Sequence, residues 1–175
     1  MKQLILGLIA VIGLAMMAHM TALAQDTPMT EAHIARIRDN CVEAQSTLRQ
    51  IHASDALLRV NRGPIYESIS TKLMAPLNSR ISLAKADGST LSALTATYEN
   101  QLNDFRSSYK EYEESLSGVL RINCTAQPVA FYDSVNDARV KRAKVHDTTV
   151  ALQKTIQDYR QAFGVFKQQF LEKNP

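Results

Sequence analysis

After Thr27, apolar residues recur along almost the whole chain at alternating intervals of three and four, the spacing that gathers side chains on one face of an α-helix. No run of alternating β-branched residues competes with it. A first run opens at Thr27 with Pro28 at the first helical position and is stopped by Asn61-Arg62-Gly63-Pro64, a start and a stop signal of the usual kind. Its seam is Ile34, Ile37, Cys41, Ala44, Leu48, Ile51, Asp55 and Leu58. A second run carries Ile65, Ile69, Leu73, Leu77, Ile81 and Ala84, with Pro76 in its middle, where the missing backbone donor predicts a kink. Asp87-Gly88-Ser89-Thr90 predicts a turn and an N-cap. A third run follows with Leu91, Leu94, Tyr98, Leu102, Phe105, Tyr109, Tyr112, Leu116 and Val119, and its step of four from Tyr98 to Leu102 is a stutter. The fourth, from Pro128, keeps heptad order through Phe131, Val135, Ala138, Arg142, Val145, Thr149, Leu152, Ile156, Tyr159, Phe163, Phe166 and Phe170. At 1.5 Å per residue that helix would be roughly 69 Å long. The pattern predicts an all-α fold: an elongated antiparallel helical bundle, a coiled-coil-like rod of three to four long helices spanning about 28–61, 64–86, 90–123 and 128–173.

The chain has 175 residues, 45% of them hydrophobic, with 6 Gly, 5 Pro and no Trp, which suits one packed domain and not a disordered chain. Its first residues change the picture. Lys2, the apolar stretch Leu4 to Met17 and the small-residue site Ala22-Leu23-Ala24 read as a signal peptide over 1–24. The single helical domain would then occupy 25–175, starting at Gln25. About 15 apolar residues fall short of the roughly 20 that span a bilayer, so a membrane contact is expected only through this segment, where it stays uncleaved. Removing Lys2 from 20 basic residues leaves 19 against 17 acidic ones, too even a balance for a nucleic-acid binder.

Export favours a disulfide between Cys41 and Cys124, the two cysteines of the chain. Such a bond needs Cα atoms within roughly 7 Å and so tests the topology. A full reversal at Gly63 would separate the two by on the order of 45 Å of helical rise; collinear first and second runs, bent at Asn61 to Pro64, reduce the mismatch to on the order of 15 Å. The expected arrangement is a three-legged antiparallel bundle with a broken first leg, an intermolecular disulfide or none being the alternative.

The densest basic stretch, Arg139, Lys141, Arg142, Lys144 and His146, reads as an ion-pairing face for Glu111, Glu113 and Glu114, with 111 opposite about 141 and 113 opposite about 139. The other reading is an anionic partner. His33, His52 and His146 stand in no metal-ligand spacing, and neither a phosphate loop, a nucleophile elbow nor a carboxylate pair is present. No enzyme, cofactor or metal is therefore expected. Asp55, Arg142 and Thr149 interrupt apolar seams; such groups set register at a cost in stability, and Arg142 would pair with Asp55 or with an acid of the third helix. Because Tyr159 and Leu91 come level in this register, Phe163, Phe166 and Phe170 would project past the Gly88 turn as an interaction surface, or else pack near Ile81 and Ala84.

Three stretches, Arg59-Val60-Asn61-Arg62-Gly63, Ala75-Pro76-Leu77-Asn78-Ser79-Arg80, and Asn123-Cys124 with Pro128-Val129-Ala130-Phe131-Tyr132-Asp133, resemble small exported helical proteins of ultrasmall candidate-phylum bacteria. The resemblance covers most of the mature chain and implies the same address; it implies no activity. The resulting expectation is an exported or envelope-associated helical interaction or structural protein that binds a protein partner or itself. The alternative is a chaperone-like or apolar-ligand binding module with a groove lined by Tyr98, Phe105, Tyr109 and Tyr112.

Overall fold

The computed structural model describes residues 29–173, and among them every regular element is helical. α1 spans Glu31–Asp39, α2 Cys41–Ser68, α3 Ala75–Leu83, α4 Ser89–Val119 and α5 Pro128–Lys173, with a π-helical segment, Ile69–Met74, between α2 and α3. The expected signal peptide 1–24 and the Thr27-Pro28 start lie outside the described residues.

The first leg departs from its expected course in three places. It starts at Thr30, whose hydroxyl accepts the His33 N–H at 3.3 Å and so satisfies one donor of the first turn. It is interrupted at Asn40, whose side-chain amide donates to the Arg36 carbonyl at 2.8 Å, a local bond that competes with the helix ladder. At Gly63-Pro64, where a stop was expected, α2 runs on to Ser68. Pro64 and Val60 are both exposed, so water can take the Val60 carbonyl that the proline ring leaves without a donor.

The disturbance expected at Pro76 takes the form of the π segment. Ala75 N–H donates to the Ser70 carbonyl, five residues back. The next donor in that ladder would be Pro76, which has none, so the wide turn ends there. One extra residue per turn also rotates the helix face. Of the predicted seam, Ile65, Leu73 and Ala84 are solvent-exposed, Ile81 is buried and Ile69 and Leu77 are partly buried against the core, while Gly63, Ser70 and Met74, outside that seam, are buried as well.

The first leg ends in a turn in which Lys85, with φ 53°, takes the left-handed conformation, and Ala86 N–H returns to the Ile81 carbonyl at 3.1 Å, as at other helix C-termini. Gly88 serves the same turn differently: a Cβ there would lie 2.6 Å from Ile81 Cγ2. In the second turn, Asn123 Oδ1 accepts the N–H groups of Thr125 and Ala126 at 3.1 and 3.0 Å, an Asx turn that lets α5 start at Pro128.

α4 and α5 pack along their length as an antiparallel hairpin, and α2, the π segment and α3 lie along α4 while α1 reaches α5. Cys41 and Cys124 form an intrachain disulfide with Cα atoms 5.6 Å apart, as the collinear first leg requires. The core falls into two clusters: one around the disulfide with Val119, Phe131 and Ala138, the other of Met74, Ile81, Leu91, Tyr98, Leu102, Phe105, Leu152 and Tyr159. The α4 seam is buried at Leu91, Tyr98, Leu102, Phe105, Tyr112, Leu116 and Val119, with Thr95 and Ser108 added between them; small hydroxyls there let the helices approach closely.

A cleft between the first leg and the last helix

α2 makes its backbone approach to α4 and stands off from α5. Between α2 and α5 lies a cleft, bridged at mid-length by polar groups. Arg142 donates from Nε to Asp55 Oδ2 at 2.8 Å and from Nη2 to Asp55 Oδ1 at 3.1 Å, a two-point fit of guanidinium to carboxylate. Tyr112 donates its hydroxyl to Asp55 Oδ2 at 2.7 Å. This is the pairing expected of two charges placed on apolar seams. Burial pushes the Asp55 carboxyl up, but the bonds from Arg142 and Tyr112 and the charges of Arg142 and His52 outweigh it, so its pKa lies below 3.8. Burial and the bond to Asp55 push the Tyr112 phenol well up, and the same carboxylate raises Arg142. Thr149, the third polar residue of the seams, donates to the Val145 carbonyl of its own helix at 2.9 Å.

The bridge divides the cleft. On the disulfide side, a cavity of about 980 Å³ has Ile37, Leu48 and Ile51 on one wall, Phe131 and Val135 on the other, and Leu116 among its lining. On the far side, a second cavity of about 570 Å³ is lined by Leu58, Tyr66, Phe105, Tyr109 and Val145, with Arg59, Arg62, Arg139, Arg142 and His146 as its charged or titratable groups beside Asp55. Three residues of the predicted aromatic groove, Phe105, Tyr109 and Tyr112, line it. The fourth does not. Tyr98 is 0% exposed and donates to the Tyr66 carbonyl at 2.9 Å, and burial lifts its hydroxyl to about 12.

Arg59 and Gly63 form a packing arrangement that the sequence pattern did not single out. The Arg59 guanidinium lies 5.6 Å from the Phe105 ring centre and 5.7 Å from that of Tyr109, within cation–π range. It rests against Gly63 one helical turn on, where it fills the space a Cβ would need. The signal was present as Arg59-x-x-x-Gly63, a spacing of four on one helix face, but glycine followed by proline reads first as a helix end.

The other candidate residues lie away from this cavity or in different pairings. Glu111 accepts from Lys144 at 3.1 Å instead of meeting Lys141, which turns back to Asp137 of its own helix. Glu113 meets His52 instead of Arg139, leaving its Oε2 buried without a partner. Tyr159 stands beside Asn78, 3.2 Å from hydroxyl to Oδ1, and not level with Leu91, while Thr155 donates to Gln101. This register draws the end of α5 back over the Gly88 turn, and Phe166 packs against the cluster that holds Ile81. Phe166 and Phe170 stack with ring centres 5.8 Å apart; Phe163 and Phe170 remain 36% and 37% exposed. Among the described residues, no three His, Cys, Asp or Glu side chains converge as a metal site would need. Comparison with protein-family models, with characterised proteins and with solved structures finds no match for this chain.

Proposed function

We propose that this chain is an exported helical interaction protein that holds a partner in the cleft between α2 and α5, supplying binding and no chemistry. The observation that carries the reading is the separation of α2 from α5, which leaves apolar and aromatic side chains of three helices facing a solvent-open space that their own packing does not fill. The disulfide fits an oxidising compartment, and no described helix is long and apolar enough to cross a membrane. The disulfide supports the exported address expected from residues 1–24 and from the resemblance to exported helical proteins.

The test is whether the folded chain takes up an uncharged apolar probe, N-phenylnaphthylamine, from water. Ala143 lines the far-side cavity and Val150 is exposed elsewhere on the same helix. Ala143→Trp should abolish uptake and Val150→Trp should leave it unchanged. A folded chain that takes up no probe, or one indifferent to both substitutions, would sink the cleft reading.

A second reading is self-association through the end of α5, where Phe163, Val165, Phe170 and Leu171 are all exposed. Light scattering on the eluting protein decides it: a monomer at every concentration, unchanged by Phe163→Asp, rules it out.

A further inference from the structure

Resting on the cleft reading above, we propose that the far-side cavity binds one small amphipathic anion, a carboxylate, sulfate or phosphate head on an apolar body. Its head would be held by Arg59, Arg62 and Arg139, and its body would lie on Tyr66, Phe105 and Tyr109.

The size of the cavity is the first argument. Its volume of about 570 Å³ falls within the range that encloses a small organic molecule. The Asp55, Tyr112 and Arg142 bridge stands between it and the longer cavity, with Tyr112, Arg139 and Arg142 lining both, and a space of this size suits a compact ligand better than a polymer.

Charge is the second. Four arginines and a histidine line the cavity against one carboxylate, Asp55, and that carboxylate is already held at two points by Arg142. Arg59, Arg62 and Arg139 have no ion-pair partner among the described residues. Three unpaired guanidiniums around apolar walls repel one another, and an anion removes that repulsion. No carboxylate besides Asp55 lines the cavity, so an incoming oxyanion meets guanidiniums and no competing anion.

Positioning is the third argument. Arg59 is held in place by the Phe105 and Tyr109 rings on one hand and the bare backbone of Gly63 on the other. A guanidinium held this way offers its planar fork to an oxyanion with little further loss of freedom. Glycine in a helix interior weakens the helix, and here it makes room for that one side chain.

A matched pair of probes tests the proposal on the folded, disulfide-bonded chain: anilinonaphthalene sulfonate and its uncharged relative N-phenylnaphthylamine. The sulfonate should bind at one site per chain, about tenfold or more tighter than the neutral probe, as one charge-assisted contact allows. Arg59→Gln with Arg139→Gln should remove that advantage while leaving neutral-probe affinity within about twofold. Should the double variant fail to fold, the exposed Arg62→Gln carries the test, with a loss of about threefold or more expected for the sulfonate alone. Equal affinity for the two probes, or a sulfonate preference that survives these substitutions, would overturn the anion site and leave the cleft standing. Uptake of neither probe would bring down the cleft and the anion site together.

Discussion

The guanidinium of Arg59 occupies the place where a side chain at Gly63 would begin. Two residues one helical turn apart thus settle a conflict in the sequence: the glycine that reads as a helix end is kept inside α2 so that an arginine can lie flat over Phe105 and Tyr109.

Gly63→Ala should separate stability from binding. Alanine gains about 1 kcal/mol of helix propensity over glycine, and displacing Arg59 from the two rings costs about 0.5–1 kcal/mol. The terms nearly cancel, so the melting temperature should move by no more than about 2 °C. Sulfonate-probe affinity should nevertheless fall several-fold, because Arg59 is pushed off its seat. A melting temperature that rises by the full propensity gain, with affinity unchanged, would show that the stacking contributes nothing.

The same two residues show which parts of the molecule were legible beforehand. The α4 and α5 seams are buried largely as their spacing predicts, from Leu91 to Val119 and from Phe131 to Tyr159, because no proline falls within these spans and their one glycine, Gly118, comes only at the end of α4. Asp55 and Arg142 could be matched because charge on an apolar seam has few ways to be satisfied. The first leg was harder. Each of its irregularities, at Asn40, Pro64 and Ile69–Met74, is a local backbone adjustment, and the π turn shifts the inward face so that Ile65 and Leu73 are exposed while Ser70 is buried. Hydrophobic periodicity assumes one helical pitch and cannot register such a shift. The cleft was legible only in part: Phe105, Tyr109 and Tyr112 could be named, but that α2 stands off from α5 depends on how three helices pack.

Asp55 sets the acid limb of stability. Its folded pKa is depressed, so the contribution it makes is complete above the unfolded value of about 3.9 and is lost as pH falls through the folded one. The melting temperature should therefore fall more steeply below about pH 4 in the natural chain than in Asp55→Asn. At neutral pH the substitution should cost about 1–2 kcal/mol, less than a fully buried pair because the Arg142 side chain is half in solvent. Parallel pH profiles for the two proteins would contradict this.

Lys85 holds a positive φ that glycine would adopt without strain. Lys85→Gly should stabilise the chain by about 1 kcal/mol, raising the melting temperature by about 2–4 °C. Gly88→Ala, three residues on, should act in the opposite direction because its Cβ meets Ile81. Neither should alter probe binding in a cavity whose α2 lining ends at Tyr66, before α3 and its turn begin, and a destabilised Lys85→Gly would show that the turn gains from its lysine something other than its backbone shape.

The disulfide joins residues 83 positions apart, and closing a loop of that length in the unfolded chain is worth about 4.5 kcal/mol on the chain-entropy account. Replacing Cys41 and Cys124 by serine should cost about 3–4.5 kcal/mol, and the loss should be uneven along the chain. The N-terminal part of the first leg is tied to the hairpin by the cluster around the disulfide, where Ile37, Ala44 and Leu48 are only partly buried. The α4–α5 hairpin has the longer shared interface. Amide hydrogen exchange should therefore lose protection first over α1 and the start of α2 while α4 and α5 retain theirs. That outcome would show that, without the bond, one wall of the disulfide-side cavity is free to leave. Mass spectrometry of the protein from its native host without reductant supplies the control, since an unlinked monomer or a covalent dimer would remove the premise, and the same spectrum reads whether the chain begins at Gln25.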